Sequence, residues 1–264
     1  MANPRLLVIA GSDSSGGAGI QADLKTAQAF GVYAQTAVTA VTVQNTHGVT
    51  AVHPVPAAIV RGQILAALND IGADAIKIGM LGNAEIAACV ADVLSETEEF
   101  REIPLVLDTV MLSSSGAPLL DEEGIGILKK RLMRRSLLAT PNLPEAEAIS
   151  GVYPKSEHRL RNAVTVFKML GARNVLFKGG HGDGDTVRDM LWTGGAEFVP
   201  FESPRQATSH THGTGCTLAT AIASGIAQGW TLIDAVGRAH LFVQNAIRTA
   251  PQLGGGAGPL NHRS

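Results

Sequence analysis

Leu6-Leu7-Val8-Ile9-Ala10, then Gly11-Ser12-Asp13-Ser14-Ser15-Gly16-Gly17-Ala18-Gly19, then residues 20–30 follow one another without a break. The first is an apolar run of strand length, the second a polar glycine-rich turn, and the third an amphipathic helical stretch. The same alternation continues along the chain. Residues 36–43, 75–78, 105–107, 137–139 and 175–177 read as buried strands, and 56–70, 84–95, 122–135, 157–170, 217–228 and 232–249 as helices. Strands alternating with helices in this way build an α/β fold: a mainly parallel sheet covered by helices on both faces. Residues 186–192 and 197–203, joined through Gly194-Gly195, read as a late antiparallel addition.

The 264 residues, 45% hydrophobic and 17% charged, suit one domain over 1–264 with a substantial core. A formal net charge of −2 gives no general attraction to nucleic acid or acidic membranes. No apolar run reaches the roughly 20 residues that span a bilayer. Met1-Ala2-Asn3-Pro4-Arg5 leads straight into the first strand and does not read as a signal peptide. Two cysteines, Cys89 and Cys216, make no disulfide framework, so a cytoplasmic protein is expected. The glycine-rich stretch within 254–264 reads as a flexible tail or as a loop packing over the site.

Ligands of open α/β sheets bind beyond the carboxyl ends of the strands. The unusual residues collect there: the 11–19 loop, Gln44-Asn45-Thr46, Gly79-Met80-Leu81-Gly82, Asp108-Thr109, Pro141-Asn142-Leu143-Pro144-Glu145 and Lys178-Gly179-Gly180-His181. His212-Gly213-Thr214-Gly215-Cys216-Thr217 opens into a helix of small and apolar residues. A helix start carries unpaired N–H groups and roughly half a positive charge, so it binds anions. The same field is expected to lower the Cys216 thiol pKa. An anion hole and a proton acceptor in one turn suit phosphoryl transfer to an alcohol.

The other candidates each have two readings. The 11–19 loop is neither a Walker A loop nor a GxGxxG fingerprint, and serves either to wrap a small ring or as a tight connection. Asp23 is a surface carboxylate or faces the pocket, and Lys77 is a solvent-facing charge at a strand end. The Gln44 amide suits an aminopyrimidine edge or bonds to backbone. Asn142 and Glu145 read equally as holders of Mg²⁺ or its waters and as a helix cap with its first-turn glutamate. Lys178, beside two glycines, is a phosphate contact. His210 and His212 beside Cys216 raise a metal site, made improbable as structural zinc by the lack of a CxxC pair. A thiol hydrolase using Cys216 and His212 is a further option, but leaves Asp108, Asn142, Glu145 and Lys178 without a role.

Taken together the segments at 10–26, 44–46, 77–81, 107–112, 140–146, 178–181 and 212–218 resemble the hydroxymethylpyrimidine and phosphomethylpyrimidine kinase family of thiamin biosynthesis. The resemblance implies a ribokinase-like three-layer sandwich and a homodimer. It implies ATP-dependent phosphorylation of 4-amino-5-hydroxymethyl-2-methylpyrimidine, and then of its monophosphate to the pyrophosphate. By matching positions it implies that Gln44 bonds the aminopyrimidine, with Gly11, Ala18, Asp23, Met80 and Val110 lining the pocket. It further implies that Gly213, Thr214 and Gly215 stabilise the transferring phosphoryl group and that Cys216 is the catalytic base. Asp108, Asn142 and Glu145 would organise Mg²⁺, and Lys178 would meet the ATP phosphates. Ser14 stands where many relatives have proline, which is expected to loosen the loop. His240 departs from the family pattern too, standing where a lysine near the nucleotide would align.

The nearest rival is a pyridoxal or pyridoxine kinase of vitamin B6 salvage on the same scaffold. Gln44 favours a pyrimidine amine. A non-catalytic vitamin-precursor sensor could dispense with Cys216 and the carboxylates, and a redox sensor would want a resolving partner for Cys216. Cys89, in the 84–95 helix, reads as core instead.

Overall fold

The computed structural model describes residues 3–113, 116–181 and 184–263; Met1, Ala2 and Ser264, at the ends of the expected domain and tail, lie outside them. The first strand, β1 (Arg5–Asp13), is buried from Leu6 to Ala10 on both of its faces, as a strand covered by two helical layers must be. The chain continues through α1 (Gly19–Ala29), β2 (Tyr33–Asn45), β3 (Gly48–Pro54), α2 (Ala57–Asp70), β4 (Ala75–Ile78), α3 (Ala84–Val93) and α4 (Glu98–Glu102). Next come β5 (Leu105–Leu107), α5 (Glu122–Ile127), a π-helical turn at Leu128–Leu132, α6 (Met133–Arg135), β6 (Leu138–Ala139), α7 (Leu143–Ser150) and α8 (Glu157–Met169). It ends with β7 (Val175–Phe177), β8 (Thr186–Trp192), β9 (Phe198–Pro204), α9 (Thr214–Ala227) and α10 (Leu232–Arg248).

The strands form one nine-stranded sheet in the order β3-β2-β1-β4-β5-β6-β7-β8-β9. It is parallel from β2 to β7, and β3, β8 and β9 run antiparallel at its two edges. Leu7, Ile9, Ile76, Ile78 and Leu107 face one helical layer, which includes α2, α3 and α8. Leu6, Val8, Val106 and Leu176 face the other, made by α1, α9 and α10. The fold is thus the expected three-layer α/β sandwich. From β1 the chain steps first to β2 on one side and later to β4 on the other. That reversal opens a crevice at the carboxyl ends of β1 and β4.

Three expectations need correction. The strand 48–54 was not foreseen, because six of its seven residues pair with β2 while remaining largely exposed, without a buried alternation to read. The 254–263 stretch is not a flexible tail but takes its other reading, a packed loop: Ala257 donates to Thr46 O at 2.9 Å, His212 N–H donates to Gly258 O at 3.2 Å, and Leu260 is buried. Lys77 and Asp23 are not at the surface, and Asp23 does not line the pocket. Lys77 Nζ meets both Asp23 carboxylate oxygens at 2.9 Å, and Thr220 Oγ1 donates to Asp23 at 2.6 Å.

This buried pair joins β4, α1 and α9 beneath the crevice, with both side chains fully covered. Burial opposes the Lys77 charge, but Asp23, Cys216 and Asp108 around it raise its pKa, so the ammonium is kept. Removing one partner of such a pair strands the other charge in the core. Lys77→Met is therefore expected to lower unfolding free energy by about 3 to 5 kcal/mol in urea titrations. A loss below about 1 kcal/mol, the range of a surface pair, would contradict this account.

Candidate active site

Helix α9 begins at Thr214, three positions before the predicted start at Thr217, which places Gly215 and Cys216 inside its first turn. Gly213 caps it in the left-handed conformation at φ 83°. A Cβ at residue 213 would lie 1.9 Å from Gly17 O, so only glycine lets the turn press against the 11–19 loop. The first turn of a helix leaves N–H groups without intrahelical acceptors, and here they open onto a cleft of about 690 Å³.

The cleft brings together Gly11, Ala18, Gln44, Met80 and Val110 with Asp108, Asn142, Glu145, Lys178 and the turn Gly213, Thr214, Gly215 and Cys216. Asp23 alone of the predicted site residues is absent from its wall. It lies behind the wall, paired with Lys77, because α1 turns that face toward the sheet and α9.

At one end of the cleft, Lys178 Nζ lies 2.8 Å from Asp108 Oδ1 and 3.8 Å from Glu145 Oε2. Thr140 Oγ1 donates to Asp108 Oδ1 at 3.0 Å. Burial raises the Asp108 pKa, but Lys178 and Lys77 outweigh it and hold the carboxyl below its ordinary value. Burial wins at Glu145, helped by Asp108, and pushes it up against the pull of Lys178. Burial opposes the Lys178 charge as well, yet Asp108 and Glu145 raise its pKa.

Asn142 and Glu145 form a reciprocal capping box on α7: Asn142 Oδ1 accepts from Glu145 N–H, and Glu145 Oε2 from Asn142 N–H, both at 2.8 Å. Thr109 Oγ1 donates to the same Glu145 oxygen at 3.0 Å. Both readings of this motif therefore bear on one place. The cap is formed, and through it Asn142 holds Glu145, with one lone pair of its amide oxygen engaged. Asp108 Oδ2 and Glu145 Oε1 stay outside these bonds.

At the other end Gln44 sits in β2, its amide within 3.2 Å of both His212 Nε2 and Thr42 Oγ1. Ser14 corrects the expectation of a loosened loop. Its hydroxyl donates to Gln44 O at 2.7 Å and accepts from Gln44 N–H at 2.8 Å, pinning the loop to β2. His212 Nε2 lies 2.8 Å from Asp13 Oδ2. Neither Asp13 nor His212 stood among the predicted site residues. The glycine-rich loop hinted at Asp13 only as a turn residue, and the partner of His212 lies 199 residues away.

His212 Nε2 is engaged by Asp13 and the Gln44 amide, and among the described residues no hydrogen bond joins the His212 ring to Cys216, so the nucleophile–base contact of a thiol hydrolase is not formed. His210 Nδ1 accepts from Gly258 N–H at 3.2 Å and holds the C-terminal segment. Cys89 donates to Ala57 O at 3.4 Å from the layer opposite Cys216, out of reach as a resolving thiol. His240 lines the far end of the cleft, its Nδ1 bonded to Asp189 at 2.9 Å, so it is braced and does not take the place of an extended lysine.

Cys216 overturns one expectation. Burial pushes its thiol up to about 11; the Lys77 charge and the Gly19 N–H lower it, while Asp23 and Asp108 raise it further. Desolvation outweighs the helix start, so the group rests as a thiol.

Comparison with known proteins places this geometry. The phosphomethylpyrimidine kinase family model matches residues 13–261. The hydroxymethylpyrimidine/phosphomethylpyrimidine kinase of Haemophilus influenzae is 43% identical, covering 98% of this chain and 96% of that one. The thiamine biosynthesis bifunctional protein ThiED of Geobacter sulfurreducens is 48% identical over 97% of this chain, which spans about half (52%) of that longer relative. Among solved structures, the Staphylococcus aureus pyridoxal kinase in complex with AMP-PCP and pyridoxal superposes with a TM-score of 0.89 at 33% identity, covering 100% of this chain and 94% of that one.

A thiol held near 11 reacts through a thiolate fraction that grows tenfold per pH unit through the neutral range. Peptide-resolved alkylation of Cys216 by iodoacetamide is expected to speed up about tenfold per unit from pH 7 to pH 9. A rate already level at pH 7.5 would mean that the helix start, and not burial, sets this pKa.

Proposed function

The chain belongs to the phosphomethylpyrimidine kinase family, and we propose from this that it phosphorylates 4-amino-5-hydroxymethyl-2-methylpyrimidine with ATP, and then the monophosphate to the pyrophosphate. The observation that carries the reading is one cleft holding the Gln44 amide at one end and the α9 first turn, with Lys178 and Asp108, at the other. The likeness to a pyridoxal kinase that binds AMP-PCP supports ATP as the phosphoryl donor.

Phosphoryl transfer passes through a loose transition state whose charge spreads over the equatorial oxygens, so positioning and electrostatics do most of the work. The N–H groups of Gly213 and Gly215, which no helix bond occupies, meet that charge, while Thr214 N–H donates to Thr211 O at 3.3 Å and holds the turn in shape. Lys178 adds a point charge beside residue 215, where a Cβ would stand 3.4 Å from its Nζ. The free oxygens of Asp108 and Glu145 fit Mg²⁺ or its waters, and the ion would neutralise charge between the phosphates. Asn142 keeps Glu145 in place for that task. Cys216 orients the acceptor hydroxyl, and its minor thiolate form, reached when the thiol first gives its proton to solvent, takes the hydroxyl proton late. Lys77, one layer beneath, favours that charged form.

At the substrate end the Gln44 amide offers an acceptor and a donor to an amine and a ring nitrogen. Gly11, Ala18, Met80 and Val110 close around the ring. The second reading, a pyridoxal or pyridoxine kinase, is favoured by the close superposition on the Staphylococcus aureus enzyme. Gln44 speaks for the aminopyrimidine, and kcat/KM for the two acceptors decides between them. We also propose a homodimer in the cytoplasm. Val41, Val43 and Val52, exposed on the β2–β3 hairpin at the sheet edge, would suit a subunit contact, and among the described residues no helix is long and apolar enough to cross a membrane.

Cys216→Ala is expected to lower kcat by about a hundredfold or more while pyrimidine affinity by calorimetry changes less than about threefold. Wild-type kcat in that variant would remove Cys216 as the base. Gln44→Ala is expected to weaken pyrimidine binding by about tenfold, and unchanged affinity would take Gln44 out of the site.

A further inference from the structure

We propose that the Asp13–His212 pair fixes the polarity of the Gln44 amide and so decides which way round the aminopyrimidine lies; this rests on the substrate reading above. The argument is a proton inventory. Asp13 accepts from Ser15 N–H and Ala18 N–H at 2.8 Å, from Gly17 N–H at 3.1 Å, and from the Ser15 hydroxyl at 2.8 and 2.9 Å. Surrounded by donors, it is a carboxylate with no proton to give. His212 Nε2, 2.8 Å from Asp13 Oδ2, must therefore carry the proton between them.

The Gln44 amide must fit that proton. With its nitrogen toward His212, at 3.2 Å, two N–H donors face each other. Its oxygen then lies 3.2 Å from Thr42 Oγ1, whose single proton also goes to Ser12 O at 3.0 Å. Turning the amide through 180° removes both conflicts. Oε1 then faces the one His212 N–H and shares it, at 3.2 Å, with its nearer acceptor Asp13 Oδ2 at 2.8 Å, while Nε2 donates to Thr42 Oγ1, which keeps its proton for Ser12 O.

The direction of this edge has a chemical consequence. In the substrate the amine is flanked by ring N3 on one side and by the carbon bearing the hydroxymethyl group on the other. With Oε1 at the His212 end, the amine donates there and N3 accepts from Nε2 at the Thr42 end. The hydroxymethyl group, beyond the amine, then falls on the His212 side, toward the turn 213–216. A reversed amide would turn the ring over and carry the hydroxyl away from Cys216. Pyridoxal carries an aldehyde oxygen as the ring neighbour of its phosphorylated hydroxymethyl group, and that acceptor would meet Oε1, an acceptor too. His212 is thus a positioning residue that also discriminates between the two acceptors.

The test compares His212→Leu, which deletes the proton, with His212→Gln, whose amide nitrogen reaches the Nε2 position and donates. Ring reversal is non-productive binding, so His212→Leu is expected to lower kcat for hydroxymethylpyrimidine about tenfold without raising KM. Its preference for hydroxymethylpyrimidine over pyridoxal, as a ratio of kcat/KM, is expected to fall about tenfold, and His212→Gln to recover most of both. A simple loosening of the site would raise KM instead, and that result, or an unchanged preference, overturns the proposal. Wild-type NMR gives a readout independent of turnover: the Gln44 side-chain NH₂ protons should show contacts to the Thr42 methyl and none to the His212 ring. The opposite pattern overturns the assignment even if His212→Leu fails to fold. If the wild type phosphorylates neither acceptor, the substrate reading fails while the NMR result still decides the amide polarity.

Discussion

The contact between Gly213 and the backbone of Gly17 is the constraint on which the site depends. It brings the start of α9 against the loop that follows β1, so the two line one cleft. A side chain at residue 213 would collide with Gly17 O, and the left-handed conformation at φ 83° is one that only glycine adopts readily. Everything else is arranged about this junction. His212, one residue before it, reaches Asp13 and Gln44, while Cys216, three residues after it, faces Lys77 and Asp108.

Charge in the site is layered. Beneath the cleft, the buried pair of Lys77 and Asp23 ties two helices to the sheet and lends a cation to the region of Cys216. At the cleft, Lys178 is shared between Asp108 and Glu145, so the lysine and the carboxylates hold one another in place before a phosphate arrives. A preorganised set of this kind needs little rearrangement as charge develops. The burial that makes these charges effective also keeps the Cys216 thiol protonated.

Much of this was legible in the sequence because strands buried on both faces are plain apolar runs, as at Leu6-Leu7-Val8-Ile9 and Leu105-Val106-Leu107. The motif segments were legible too, and the family they resemble is the family to which the chain belongs. What could not be read depends on partners far apart in the chain. Lys77 within an apolar strand looked like a solvent-facing charge, since its partner Asp23 lies 54 residues earlier. The glycines after Leu253 left a loose tail and a packed loop open, and hydrogen bonds to Thr46 and His212 decide for the loop. The thiol of Cys216 was misjudged because a helix start is visible in sequence and the depth of burial is not.

The central claim is that one cleft phosphorylates a hydroxymethylpyrimidine twice. The most direct measurement is a phosphorus NMR time course with ATP, Mg²⁺ and 4-amino-5-hydroxymethyl-2-methylpyrimidine, beside a parallel sample containing pyridoxal. The account predicts a monophosphate signal that gives way to the pyrophosphate, with slower or no turnover of pyridoxal. Phosphorylation of pyridoxal alone would contradict it, and would make Gln44 a residue whose amide serves another ring.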